Sequence, residues 1–133
     1  MMPVECKVLL DTSVLLLIYD GVDPIEGIDD ALSTKCDYYV PDIVLDELIK
    51  LASKNTGIKS KAARLALQYM RGKVKVMITN RKYRTADEFI KKYVTSDPSI
   101  IVATMDDELK RELKSRGIRV ITWWFSRRKF VEV

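Results

Sequence analysis

A chain of 133 residues, 47% hydrophobic and 32% charged, has the size and balance of one globular domain with a real core, and no apolar run approaches the roughly 18 residues that span a bilayer. It contains no histidine, which removes Ser-His-Asp and Cys-His nucleophilic catalysis, imidazole acid-base work and histidine-ligated zinc, and leaves carboxylates, hydroxyls, lysines or a bound metal to carry any chemistry. The net charge of +4 is uneven: residues 1–47 carry 11 acidic and 2 basic side chains, whereas residues 48–86 carry 11 basic and no acidic ones, a composition suited to a polyanion, with nucleic acid the first choice.

Val8, Leu9 and Leu10 form an apolar run that stops at Asp11, Thr12 and Ser13 before the chain turns apolar again as far as Ile18. Such runs form strands buried on both faces of a parallel sheet, and ligands of open α/β sheets bind beyond the carboxyl ends of the strands. Asp11 therefore either faces that crevice or caps a short helix over residues 13–19. Asp20, Gly21, Val22, Asp23 and Pro24 break the chain, and the spacing of Ile25, Ile28, Ala31 and Leu32 predicts a second helix over 25–33. Cys6 and Cys36 fall in separate elements with no metal-ligand spacing and read as two reduced core thiols. No signal-like leader opens the chain, so a cytoplasmic protein without membrane association is expected.

Residues 37–40 predict a second strand closed by Pro41. Residues 42–51 then start acidic and place Val44, Leu48 and Leu51 on one stripe of an amphipathic helix, with Glu47 bordering it. Residues 53–60 read as a polar loop, and 62–70 as a helix that carries Arg64 and ends before Gly72. A short strand over 74–78 and a basic loop over 80–84 precede Thr85, the N-cap of a helix over 86–93. There Glu88 suits the capping-box position, and Asp87 the first turn, where a carboxylate favours the helix dipole.

Residues 99–107 repeat the opening pattern, an apolar strand that stops at Thr104 and Asp106. A helix over 108–115, Gly117 and a last strand over 118–123 follow, with a short basic, aromatic tail from about residue 124. Trp123 is expected to fill the core, and Trp124 and Phe125 to contact another subunit rather than stack on bases. Strands alternating with helices predict an α/β fold: a single domain over 1–133, built as a three-layer sandwich whose mainly parallel sheet of four or five strands is flanked by helices.

Asp11, Glu47, the Asp87 and Glu88 pair and Asp106 bring carboxylates from four segments. Crowded carboxylates relieve their repulsion by raised pKa values or a bound cation. Donors that are all oxygen favour Mg²⁺ or Mn²⁺, and such a site can hydrolyse a phosphodiester in line.

In its order of Leu-Leu-Asp-Thr-Ser, Pro-Asp-Ile-Val-Leu-Asp-Glu-Leu, Thr-Ala-Asp-Glu-Phe-Ile and Ile-Val-Ala-Thr-Met-Asp-Asp-Glu-Leu, the chain resembles the PIN-domain nuclease family over roughly residues 4–123. The last motif is most similar to the small-subunit rRNA-processing type of archaea and eukaryotes. The resemblance implies a PIN-like fold and a metal-dependent endoribonuclease using Mg²⁺ or Mn²⁺. Asp11 matches the family's first metal-binding aspartate, Glu47 its helix glutamate, Asp106 the aspartate after the fourth strand and Thr104 a supporting hydroxyl, with Thr12 and Ser13 beside Asp11. The third acidic position is Asp87 or Glu88. RNA is the expected partner, within a ribosomal precursor particle, and a homodimer is expected through the tail. Lys50, Lys82 and Arg84 lie near the two ends of the acid-free stretch and are the expected RNA contacts. A non-catalytic RNA-binding or ribosome-assembly PIN domain is the alternative, and a toxin nuclease of a toxin-antitoxin pair a further one. A phosphoacceptor receiver domain is disfavoured, since no lysine follows the last strand.

Overall fold

The apolar run Lys7–Leu10 forms strand β1, with Val8, Leu9 and Leu10 wholly buried. In the computed structural model, which describes residues 6–79 and 83–133, β1 lies at the centre of the sheet. It pairs in parallel with β2 (Asp37–Pro41) through Val8 and Tyr38, and with β4 (Ile100–Ala103) through Leu9 and Val102. Strand β3 (Lys75–Met77) extends the sheet beyond β2, and β5 (Val120–Trp124) beyond β4, both in parallel. The described strands run in the order β3-β2-β1-β4-β5-β6, and only β6 (Lys129–Glu132) is antiparallel.

Helices cover both faces, as burial of strands on both sides requires. On one side α1 (Thr12–Leu15, continued by a 3₁₀ turn over Leu16–Asp20), α2 (Pro24–Leu32), α3 (Asp42–Ser53) and α4 (Gly57–Met70) close over Val8, Leu10, Ile101 and Ile121. On the other, α5 (Ala86–Ser96) and α6 (Asp107–Ser115) close over Leu9, Val102 and Val120. The fold is the expected three-layer α/β sandwich. Between β3 and β4 the chain crosses back over β1, so the ends of β1 and β4 flank the point where the strand order reverses. At such a point neighbouring crossovers part and a crevice opens. No helix among the described residues is long and apolar enough to cross a membrane.

Three expectations are corrected. Residues 57–60 are not loop, because α4 begins at Gly57, whose φ of +78° makes the turn. Ser60 Oγ donates to the Ala52 carbonyl at 3.2 Å, and the Arg64 guanidinium donates to Asn55 Oδ1 at 3.0 Å and to Ser60 Oγ at 3.1 Å. Side chains of α4 thus satisfy the carboxyl end of α3, and the polar look of this stretch comes from Lys59 and Lys61 on the solvent side of a helix whose Ser60 is buried. The tail is also structured, since β6 forms a hairpin with β5 and adds a sixth strand. Its anchor is Phe130, which meets the Trp123 ring edge-on at 5.0 Å and lies over Gly27 of α2 so closely that a Cβ there would stand 2.7 Å from the ring. Trp123 is buried as expected.

Finally, Cys6 and Cys36 are joined in a disulfide. Lys7 and Asp37 are register partners at the starts of β1 and β2, so the residue before each meets the other, with Cα atoms 4.6 Å apart. Sequence spacing does not reveal which strands are neighbours.

Candidate functional site

Asp11 follows the last residue of β1, and its amide donates to the Ala103 carbonyl at 3.0 Å, which ties it to the end of β4. Its carboxylate makes no capping hydrogen bond to α1, so the capping role is not the one it has. Instead Asp11 Oδ2 accepts from Thr104 Oγ1 at 2.8 Å and from Ser13 Oγ at 3.0 Å. Those hydroxyls are oriented in turn: Thr104 Oγ1 accepts the Asp106 amide at 3.1 Å, and Ser13 Oγ the Met105 amide at 3.0 Å. The ends of β1 and β4 are thereby locked in one hydrogen-bonded ring.

Asp11 is only 7% exposed. Burial pushes its carboxyl above the ordinary carboxylate value, the Thr104 and Ser13 hydroxyls oppose that rise, and the nearby Glu47 charge adds to it. Glu47 projects from the face of α3 toward the same place, and Thr12 Oγ1 donates to its Oε2 at 2.7 Å. Asp87, in the first turn of α5, is raised by burial and then by the charges of Asp11 and Asp106. Asp106 is the N-cap of α6, with Oδ1 accepting the Leu109 amide at 3.1 Å. It is at once a helix cap and a member of this acidic group.

These side chains line a cleft of ≈ 1000 Å³ at the carboxyl edge of the sheet, shared by Asp11, Thr12, Ser13, Glu47, Lys50, Arg84, Asp87 and Asp106. Glu88 is not among its lining residues. Its amide donates to Thr85 Oγ1 at 3.2 Å and its carboxylate accepts the Arg84 amide at 3.3 Å, so it serves the amino end of α5. Of that pair Asp87 faces the cleft, and Glu88 does the capping anticipated for it. Thr104 is fully buried behind Asp11. Lys82 falls outside the described residues.

Asp46, Tyr83 and Asp42 line the cleft as well and were not foreseen there. Asp46 precedes Glu47 and, with Ile43 and Lys50, completes the helix face that looks into the cleft; the spacing of 43, 46, 47 and 50 is the signal that could have found it. Tyr83 lines the opposite wall, its ring edge-on to Phe89 at 5.3 Å. Asp42, the acidic residue that starts α3, accepts from Thr79 Oγ1 at 2.7 Å and from its amide at 3.1 Å, which fixes the exit of β3 against α3. That contact spans 37 residues, so no local pattern announces it.

The donors are all hard oxygens, two carboxyls are pushed up by crowding and burial, and both features suit a hard divalent cation. Among the described residues no three carboxylates converge closely enough to enclose a cation unaided. The residues that could hold such a cation are Asp11, Glu47, Asp87 and Asp106, all lining the cleft.

A family model described as a PIN like domain matches residues 8–124. A ribonuclease of Methanocaldococcus jannaschii, VapC4, is 29% identical over 129 residues, which is 96% of this chain and 95% of that protein. Among solved structures, the PIN domain endonuclease Utp24 superposes with a TM-score of 0.79 at 24% identity, covering 95% of this chain and 90% of the other. A domain of a functionally unknown protein from Methanocaldococcus jannaschii gives a TM-score of 0.57 at 22% identity over 86% of this chain and 89% of that one.

Proposed function

The chain belongs to the PIN like domain family, and from that premise we propose that it is an Mg²⁺- or Mn²⁺-dependent endoribonuclease, one nuclease domain over residues 1–133. The observation that carries this reading is the Asp11 ring: a buried carboxylate held by two oriented hydroxyls at the strand-order reversal, with Glu47, Asp87 and Asp106 around it. Asp11 and Asp106 would hold the cation directly or through its water, with Glu47 and Asp87 completing the pocket. When bound, the cation lowers the pKa of a bound water and stabilises the leaving oxygen of a phosphodiester.

The chain's own residues do the rest. Thr104 and Ser13 favour the ionised form of Asp11 against the effect of its burial and hold it in one rotamer, since a hydrogen bond to the charged form favours that form. Thr12 aims Glu47 in the same way. Lys50 and Arg84 bring positive charge to the rim of a cleft whose carboxylates would repel phosphates. Precursor rRNA is the proposed target class, supported by the likeness of the Thr104 to Asp106 motif to processing nucleases.

The test is cleavage of single-stranded and structured RNA with and without Mn²⁺, comparing the wild type with Asp106→Asn. Metal-dependent cleavage that the substitution abolishes supports the proposal. RNA binding without cleavage at any metal concentration would point to the non-catalytic alternative.

A further inference from the structure

The β5–β6 hairpin turns over Phe125, Ser126, Arg127 and Arg128 at the carboxyl edge of the sheet, the same edge that carries the cleft. Ala103 and Ile121 are register partners of β4 and β5, and three residues beyond each stand Asp106 and Trp124. The strand end beside Asp106 thus finishes in exposed aromatics: Trp124 is 45% and Phe125 61% exposed. The alternation of the strand sends Trp123 to the core with Phe130, and Trp124 to the opposite face, where Lys110 of α6 reaches Thr122 Oγ1 at 3.5 Å.

We propose that Trp124 and Phe125, flanked by Arg127 and Arg128, form a base-stacking platform for single-stranded RNA next to the scissile phosphate. Arg127 lies over the Trp124 ring, 5.3 Å from its centroid, so cation and aromatic face are already arranged as one surface. From Trp123 to Val131 the chain has three cations and no carboxylate. That composition complements a phosphate backbone carrying unstacked bases, because every base offers a π-face and every linkage a charge. A second copy meeting this patch through the same patch, as in a two-fold dimer, would bring the same cations against the same cations, so RNA is the occupant the charge favours. The platform also gives the cleft a preference: the interior bases of a duplex are covered on both faces by their neighbours and cannot lie on it.

The proposal rests on the ribonuclease reading, and its test separates the two. Binding of a labelled uridine decamer and of a blunt RNA duplex is measured in chelated buffer, where no cleavage occurs. Phe125→Ala and Trp124→Ala should each weaken decamer binding roughly tenfold, leave the duplex unchanged, and raise KM for single-stranded substrate while kcat stays near the wild-type value. Phe125→Tyr keeps the ring and should restore binding, and the decamer should quench Trp124 fluorescence. Wild-type decamer affinity in both alanine variants overturns the platform, as does a wild-type dimer in sedimentation that Phe125→Ala dissociates. If the wild type cleaves no RNA the ribonuclease reading falls, and the decamer measurements still decide the platform.

Discussion

Thr104 Oγ1 donates to Asp11 Oδ2 at 2.8 Å while accepting the Asp106 amide at 3.1 Å, so one buried hydroxyl joins two of the carboxylate positions. Thr104→Val keeps the shape and removes both bonds. The loss leaves Asp11 less stabilised as an anion and the Asp106 amide without this partner, at a cost of about 1–3 kcal/mol. Urea unfolding should show that loss, and calorimetric titration should show weaker Mn²⁺ binding. Wild-type metal affinity in the variant would mean that Thr104 does not position Asp11.

Asp11 itself should cost the metal-free protein stability. Its carboxyl is raised in the folded state, chiefly by burial, so above the unfolded value the folded chain holds this proton more tightly than the unfolded one does. Stability from this group is then present at low pH and falls as pH rises through the folded pKa. Asp11→Asn removes that penalty. In chelated buffer the variant should melt higher than the wild type at pH 7, the gap should narrow toward pH 4, and Mn²⁺ should no longer raise its melting temperature. A variant that melts lower at pH 7 would refute the claim.

The parts of the molecule written in local patterns were legible before the structure. Strand ends at Asp11 and Asp106, the Thr85 cap and the stripe that aims Glu47 depend on neighbours within a few residues, where periodicity and capping chemistry act. What was hidden depends on register between distant segments. The Cys6–Cys36 bond needs β1 and β2 side by side, the Asp42–Thr79 latch needs β3 beside α3, and β6 is a four-residue strand, Lys129–Glu132, inside what reads as a basic, aromatic tail. The choice between Asp87 and Glu88 likewise turned on the orientation of α5, which its sequence leaves open.

The disulfide closes a separation of 30 residues at the amino edge of the sheet, opposite the cleft. Cross-linking a loop of that size stabilises by about 3–4 kcal/mol through loss of unfolded-state entropy. Reduction or Cys36→Ser should lower the urea midpoint accordingly while Mn²⁺ affinity stays unchanged. Coincident unfolding of the oxidised and reduced protein would show that the link contributes nothing.

Gly27 offers a check on β6. Alanine in a helix interior ordinarily gains up to about 1 kcal/mol over glycine, but here the added Cβ would stand 2.7 Å from Phe130, whose ring is backed by Trp123. Overpacking of this kind costs about 1–3 kcal/mol, so Gly27→Ala should destabilise. Adding Phe130→Leu should recover part of the loss, and a stabilised single variant would mean that the hairpin yields freely.

The last expectation concerns how RNA reaches an acidic cleft. Arg64 is committed to the α3–α4 junction, Lys73 lies over the Tyr69 ring at 4.3 Å and Lys75 over Tyr39 at 5.7 Å. The acid-free stretch is therefore not one uniform phosphate-binding face. Lys50 and Arg84 are the cations among the described residues that line the cleft itself, and they stand on opposite walls, one on α3 and one ahead of α5. A phosphodiester entering between the walls would meet both. Lys50→Ala with Arg84→Ala should weaken binding about equally across RNA sequences and flatten the dependence of log affinity on log salt by roughly 0.7 for each single-strand phosphate no longer neutralised. Mn²⁺ affinity should hold or rise, since neither side chain is a ligand and both are cations beside the site. Unchanged RNA affinity and an unchanged salt slope in the double variant would take the RNA path out of this cleft.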